Sequence, residues 1–210
     1  MIIETLVLSC KRPNGETLGR TLDSLKAAGF DPPLVYRDEN QSGQFKAWLA
    51  AVDLLLLTSP QADAYFLVED DVVFCKGLRV WLVKNLWPDD PAKIALCSPY
   101  SPEAYQIPVR GWHREVRGLY LCSGQSWVVP PATLRRINTE LHGLIHSPDK
   151  LRGGDYIIGQ WALDRGLGVW FHSPSLGQHI GIGNGLCGGD VDSPLRKATD
   201  FVGEDFDANL

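Results

Sequence analysis

The apolar positions of this chain fall into short runs and helical stripes that alternate along its length. Residues 4 to 9 (Glu-Thr-Leu-Val-Leu-Ser) form a run of the buried-strand kind, and Pro13-Asn14-Gly15 then breaks the chain. Leu18, Leu22 and Leu25 recur at helical spacing up to a stop at Gly29. Leu34 to Arg37 predicts a second strand, running into the polar stretch Asp38 to Gly43. From Gln44 to Leu57 the positions of Phe45, Trp48, Leu49, Val52, Leu55 and Leu56 repeat with a helical period. Ala64 to Val68 is instead nearly continuous in apolar residues, as a strand covered on both faces must be. Such alternation predicts right-handed βαβ units and a parallel sheet.

Downstream, Gly77 to Asn85 reads as a helix and Ile94 to Cys97 as a fourth strand. Further strands are expected at Tyr120-Leu121 and Ser126 to Val129, around Gly124. Pro131 to His142 then predicts a helix, the turn Gly153-Gly154-Asp155 opens another through Leu163, and Gly168 to Phe171 is a late strand. Residues 177 to 195 are glycine-rich, which predicts a mobile or ligand-dependent loop. The expected fold is a single α/β domain with a mostly parallel central sheet flanked by helices, a size that 210 residues suits.

Composition narrows the function classes. With 44% hydrophobic and 10% aromatic residues the chain can bury a core, which excludes a disordered segment. A net charge of −5 removes the broad attraction that drives non-specific nucleic-acid binding, so such a partner is disfavoured and would need a local basic patch. The five cysteines, Cys10, Cys75, Cys97, Cys122 and Cys187, are odd in number and lack a CxxC pair, so neither a zinc ribbon nor a disulfide framework is indicated. The N-terminus has no basic leader, and the densest aliphatic run, Leu54 to Leu57, is too short to span a membrane. A cytoplasmic protein without a transmembrane segment is the expectation.

Ligands of open parallel sheets bind beyond the carboxyl ends of the strands. There the chain carries Glu69-Asp70-Asp71, three consecutive carboxylates directly after Tyr65 to Val68 and before Val72-Val73-Phe74. The charge pattern admits two readings. One is a solvated acidic turn. The other is a site for a hard divalent cation such as Mn²⁺ or Mg²⁺, which would offset the mutual repulsion and bridge the protein to a diphosphate. Asp155 is a second carboxylate of interest, and as an Asp at a helix start it also reads as an N-cap.

The strand-loop-helix opening, the acidic strand end, the later Gly-Gly-Asp helix start and a distal His together resemble the glycosyltransferase A fold, a metal-dependent class that uses nucleotide sugars. Glu69-Asp70-Asp71 is similar to the DxD element of that fold in its EDD form. The string Ser173-Pro174-Ser175-Leu176-Gly177-Gln178-His179-Ile180-Gly181 resembles the Pro-Ser-Leu-x-Gln-His-x-Gly element of N-acetylglucosaminyltransferase IV-type enzymes and their small relatives. The resemblance implies that Asp71 is the principal metal ligand, Glu69 a second or water-mediated one, and His179 the imidazole that completes the site around Mn²⁺ or Mg²⁺. Asp70 would face the donor ribose or sugar, and Asp155 would be the general base of an inverting single displacement. Ser9, Lys11, Arg12 and Asp38 at the first two strand ends, Lys46, and the tail residues Arg196 and Lys197 are the further donor-binding candidates. Residues 1–100 would then form the nucleotide-sugar half, and 101–210 the acceptor and catalytic half.

A UDP-sugar is the expected donor. The acceptor hydroxyl could belong to a saccharide, a lipid-linked saccharide, a protein side chain or a hydroxymethylated base in viral DNA. The segment Gln106 to Arg117, with Trp112-His113, offers a loop for acceptor stacking, whereas Trp48, Trp81, Trp127 and Trp161 sit in core patterns. Two rival readings stand beside this one. A sugar-phosphate nucleotidylyltransferase would carry a Gly-rich, Arg-containing phosphate loop after the first strand, where this chain reads Ser9-Cys10-Lys11-Arg12-Pro13-Asn14-Gly15. A non-catalytic nucleotide-sugar-binding module would have no need of both the acid cluster and Asp155.

Overall fold

The computed structural model describes residues 1–11, 17–30, 32–116, 125–143, 154–181 and 196–209. Its strands are β1 (Ile3–Cys10), β2 (Leu34–Asp38), β3 (Ala64–Glu69), β4 (Val72–Phe74), β5 (Ile94–Ser98), β6 (Gly111–Arg114), β7 (Ser126–Val129), β8 (Gly168–Ser173) and β9 (Gly177–His179). The α-helices are α1 (Leu18–Ala27), α2 (Gln44–Thr58), α3 (Leu78–Asn85), α4 (Pro131–Leu141) and α5 (Gly154–Asp164). Seven strands form one sheet in the order β2-β1-β3-β7-β5-β8-β6, and β4 with β9 forms a second, two-stranded one. In the large sheet β1 pairs in parallel with both β2 and β3, and β5 pairs in parallel with β8. β7 and β6 run against the other five.

Side chains of period two divide between the two faces of this sheet. On one face Leu6 of β1, Tyr65 and Leu67 of β3, and Trp127 and Val129 of β7 meet Trp48, Leu49, Val52 and Leu55 of α2, Leu134 and Ile137 of α4, and Ile158 and Trp161 of α5. On the other, Ile3 and Val7, Phe66 and Val68, and Val128 meet Leu25 of α1, Leu78 and Leu82 of α3, and Val72 and Phe74 of β4. The result is three layers, with helices on both faces as the alternating pattern requires. β3 is buried along almost its whole length, which accounts for its continuous apolar run.

Three expectations change. Gly111–Arg114 is the edge strand β6 rather than part of a free loop. Its Trp112 packs against Trp81 and His172 at ring-centroid distances of 5.7 and 5.3 Å and donates its indole N–H to the Asn85 carbonyl, so it is bound into the α3–β8 contact. The start of the glycine-rich stretch, Gly177–His179, is strand β9, held by three register pairs to β4. Residues 182–195, the remaining candidate loop, lie outside the described residues, as do Tyr120-Leu121 and Gly124. Trp81 is only partly buried, while Trp48, Trp127 and Trp161 are core.

Residues 196–209 run along the molecule and join distant parts of it. Lys197 O accepts the Glu103 N–H, Ser175 O accepts the Val202 N–H and Glu204 O accepts the Lys76 N–H, at 2.8, 3.2 and 3.2 Å. The segment ends against Gly77, whose φ of +68° and lack of a side chain both matter: a Cβ there would collide with Asn209 and Asp207.

Candidate active site

The parallel register sets Cys10 opposite Asp38 and Leu8 opposite Glu69, so the ends of β1, β2 and β3 gather at one edge of the sheet. There the chain turns from β3 into β4 through Asp70 and Asp71. Asp70 is 2% exposed; its Oδ2 accepts the Ser9 hydroxyl at 2.6 Å and the Cys10 N–H at 3.4 Å. This carboxylate therefore braces the end of β1, and Ser9 Oγ, its proton given to Asp70, presents acceptor capacity only. Glu69 Oε1 accepts the Gln44 amide at 2.8 Å, which ties β3 to the first turn of α2. Asp38, also buried, accepts both the N–H and the hydroxyl of Ser42, at 2.8 and 3.1 Å, and so closes the turn after β2.

The antiparallel pairing of β4 with β9 sets Val72 opposite His179, and the Asp71 carbonyl accepts the Ile180 N–H at 2.8 Å. This register carries two side chains far apart in sequence to one point. His179 Nε2 lies 3.1 Å from Asp71 Oδ2, with the two side chains 3% and 4% exposed. A carboxylate so deeply buried needs a partner to offset its lost hydration.

The chemistry of this donor pair fits a divalent ion. Adjacent ligands of an octahedral ion bound at about 2.1 Å stand about 3 Å apart, close to the observed separation. One carboxylate oxygen and one imidazole nitrogen leave further positions to water and diphosphate oxygens. Among the described residues no group of three or more His, Cys, Asp or Glu side chains could hold a metal ion. Glu69 Oε1 is engaged with Gln44 in this arrangement.

Tyr100, fully buried after β5, links this cluster to the C-terminal segment by donating its hydroxyl to the Arg196 carbonyl. Burial raises the pKa of its hydroxyl, the Asp71 and Glu69 charges add to the effect, and Arg196 opposes it. The same Arg196 acts on Asp155, in the first turn of α5. Burial raises the Asp155 pKa above its ordinary 3.8; the Tyr156 N–H, bonded to Oδ1 at 2.8 Å, and the charge of Arg196 oppose this without cancelling it. Asp155, the second residue of α5, is therefore not its N-cap; it bonds the N–H of the next residue and keeps raised basicity. Its neighbour Gly154 lies against Phe45, where an added Cβ would come within 3.1 Å of the ring, so α5 starts beside the residue that follows Gln44.

The basic candidates are placed differently. Lys11 and Lys46 are exposed, at the end of β1 and in the first turn of α2, and Arg12 lies outside the described residues. Arg196 is half-buried and Lys197 exposed. The segment carrying them is pinned by Gln178, whose amide donates to Ala198 O at 2.9 Å and accepts the Ala198 N–H at 3.1 Å. Asp200 Oδ1 accepts the Gln106 amide at 2.6 Å and the Ser175 N–H at 3.1 Å. Gln44, Tyr100 and Asp200 went unmarked by sequence reasoning, because a lone Gln, Tyr or Asp carries no pattern. Gln178 stood inside the string around His179 and could have been found there.

No protein-family model matches this chain, and no curated protein matches it. Among solved structures, a glycosyltransferase involved in the glycosylation of the major capsid of PBCV-1 is similar with a TM-score of 0.54, at 11% identity over 81% of this chain and 83% of that one. The two chains share a fold. It is a GT-A-like arrangement, with the acid cluster at the strand ends of the mostly parallel sheet. A Drosophila beta-1,4-galactosyltransferase 7 mutant in complex with manganese, UDP-Gal and xylobiose has a TM-score of 0.45 at 12% identity, over 85% of this chain and 71% of that one. A putative glucose-1-phosphate thymidylyltransferase from Bacillus anthracis has a TM-score of 0.43 at 11% identity, over 81% and 89%.

Proposed function

We propose that this protein is a divalent-metal-dependent glycosyltransferase that moves a sugar from a UDP-sugar to an acceptor hydroxyl with inversion. The observation that carries the reading is the buried Asp71–His179 pair, formed at the strand ends of a GT-A-like sheet. Asp71 Oδ2 and His179 Nε2 would hold the ion, and their mixed oxygen and nitrogen character suits Mn²⁺ better than the harder Mg²⁺. When bound, the ion supplies positive charge that offsets the charge developing on the departing diphosphate.

The chain's own residues supply the rest. Asp155 takes the proton of the acceptor hydroxyl as its oxygen bonds to the anomeric carbon and the bond from that carbon to the diphosphate breaks. Its raised pKa makes it a stronger base than an exposed Asp. Arg196, held in place through its own carbonyl by Tyr100, adds positive charge on the donor side. Asp70 and Asp38 keep the ends of β1 and β2 in shape through Ser9 and Ser42.

Release of UDP from a panel of UDP-sugars, with Mn²⁺ or with chelator, tests this reading. Turnover should require the ion, and Asp71→Ala and His179→Ala should each lower it by about 10²-fold or more, the scale expected when charge stabilisation at a leaving group is lost. Undiminished turnover in chelator would refute the proposal.

A further inference from the structure

Gly181, two residues beyond His179, has a φ outside the left-handed region, so backbone freedom does not explain the glycine. The space around its Cα does. An ideal Cβ built there would lie 2.7 Å from His179 Nε2, 2.8 Å from His179 Cε1 and 2.8 Å from Asp71 Oδ2. All three distances are well inside ordinary van der Waals contact, for which carbon needs about 3.5 Å. The three atoms belong to the two side chains that form the buried pair and to nothing else.

We propose that Gly181 is a positioning residue: its missing side chain is what lets the His179 imidazole close onto Asp71, so that the two can grip one divalent ion. This rests on the metal reading above and adds a residue to it. Val72 is in register with His179, and the Asp71 carbonyl accepts the Ile180 N–H, so the chain on both sides of the contact is tied down. What can give way is the far end of the imidazole and of the carboxylate. Rotation of either relieves the clash at small cost to folding and separates the two ligand atoms. Gly181→Ala should therefore spare the fold and damage the site. Gly177, in β9, differs: a Cβ there would press on the Phe74 ring at 3.0 Å and on Tyr100 Cβ at 3.3 Å, which is a matter of core packing.

The test is a titration of the 210-residue chain with Mn²⁺ alone, followed by loss of the free-ion electron paramagnetic resonance signal. It compares the unaltered chain, Gly181→Ala, His179→Ala and the double variant. Gly19→Ala serves as a control, since nothing lies within 4 Å of a Cβ at that position in α1. Gly181→Ala should weaken Mn²⁺ binding by about 10- to 100-fold, as removal of a ligand-orienting contact does. Its metal-free melting temperature and near-ultraviolet circular dichroism should match those of the unaltered chain. In the His179→Ala background the same substitution should cost nothing further. Mn²⁺ binding by Gly181→Ala equal to that of the unaltered chain would overturn the inference while leaving the metal reading intact, and so would an equal loss in the His179→Ala background. Absence of Mn²⁺ binding by the unaltered chain would overturn both.

Discussion

Asp155 shows how burial can change the chemistry of a single residue. Its place in the first turn of α5 provides a hydrogen bond from Tyr156 and, by position, favours negative charge. Burial works the other way and prevails, since the pKa is raised. As pH climbs, the carboxyl of the unfolded chain therefore ionises first. The associated stability is complete below its ordinary pKa of 3.8 and is lost as pH rises through the higher folded value. Asp155→Asn should consequently keep or raise the melting temperature at pH 7, while lowering transfer by about 10²- to 10⁴-fold, the usual worth of a general base. In the unaltered chain the acid limb of kcat/KM should lie above the ordinary carboxylate pKa. A marked fall in stability with activity preserved would assign Asp155 to a structural role alone. The Gly-Gly-Asp sequence made this residue visible, but not the sign of its shift, which depends on what α5 packs against.

Among the elements, the β4–β9 ribbon and the C-terminal segment matter most for the site, and both were poorly legible. β4 and β9 are three residues each, too short for a period to register, and β9 opens a stretch whose glycines suggested a loop. The long elements are legible in the sequence, because helices such as α2 and α4 and the double-covered strand β3 repeat their pattern over many positions. Gln178 of β9 shows what the ribbon does for the site, for it fixes Ala198 by two hydrogen bonds and with it the position of Arg196. At about 1 kcal/mol for each bond, Gln178→Ala should raise the donor KM about 30-fold, with a smaller change in kcat. A KM equal to that of the unaltered chain would mean that the segment holds its place without this contact.

At the scale of the molecule, three layers follow from side chains that alternate between two apolar faces, each covered by helices. The sequence implied those layers and the parallel β2-β1-β3 unit. It did not imply that β7 and β6 run against the rest, since a run such as Ser126–Val129 has the same apolar content in either direction. The acid cluster was legible as three adjacent carboxylates. The division of labour within it was not: Asp70 braces β1, Glu69 meets α2 and Asp71 meets His179. In the proposed function Asp71 and His179 together bind a nucleotide sugar through a divalent ion. The most direct measurement is the melting temperature of the whole chain with UDP-sugars, in Mn²⁺ and in chelator. A ligand that binds only the folded state at one hundred times its Kd adds about 2.7 kcal/mol of stability. The expected result is a rise of several degrees that needs Mn²⁺ and sugar nucleotide together and is absent in Asp71→Ala and His179→Ala. A rise of the same size in chelator, or one that survives both substitutions, would contradict it.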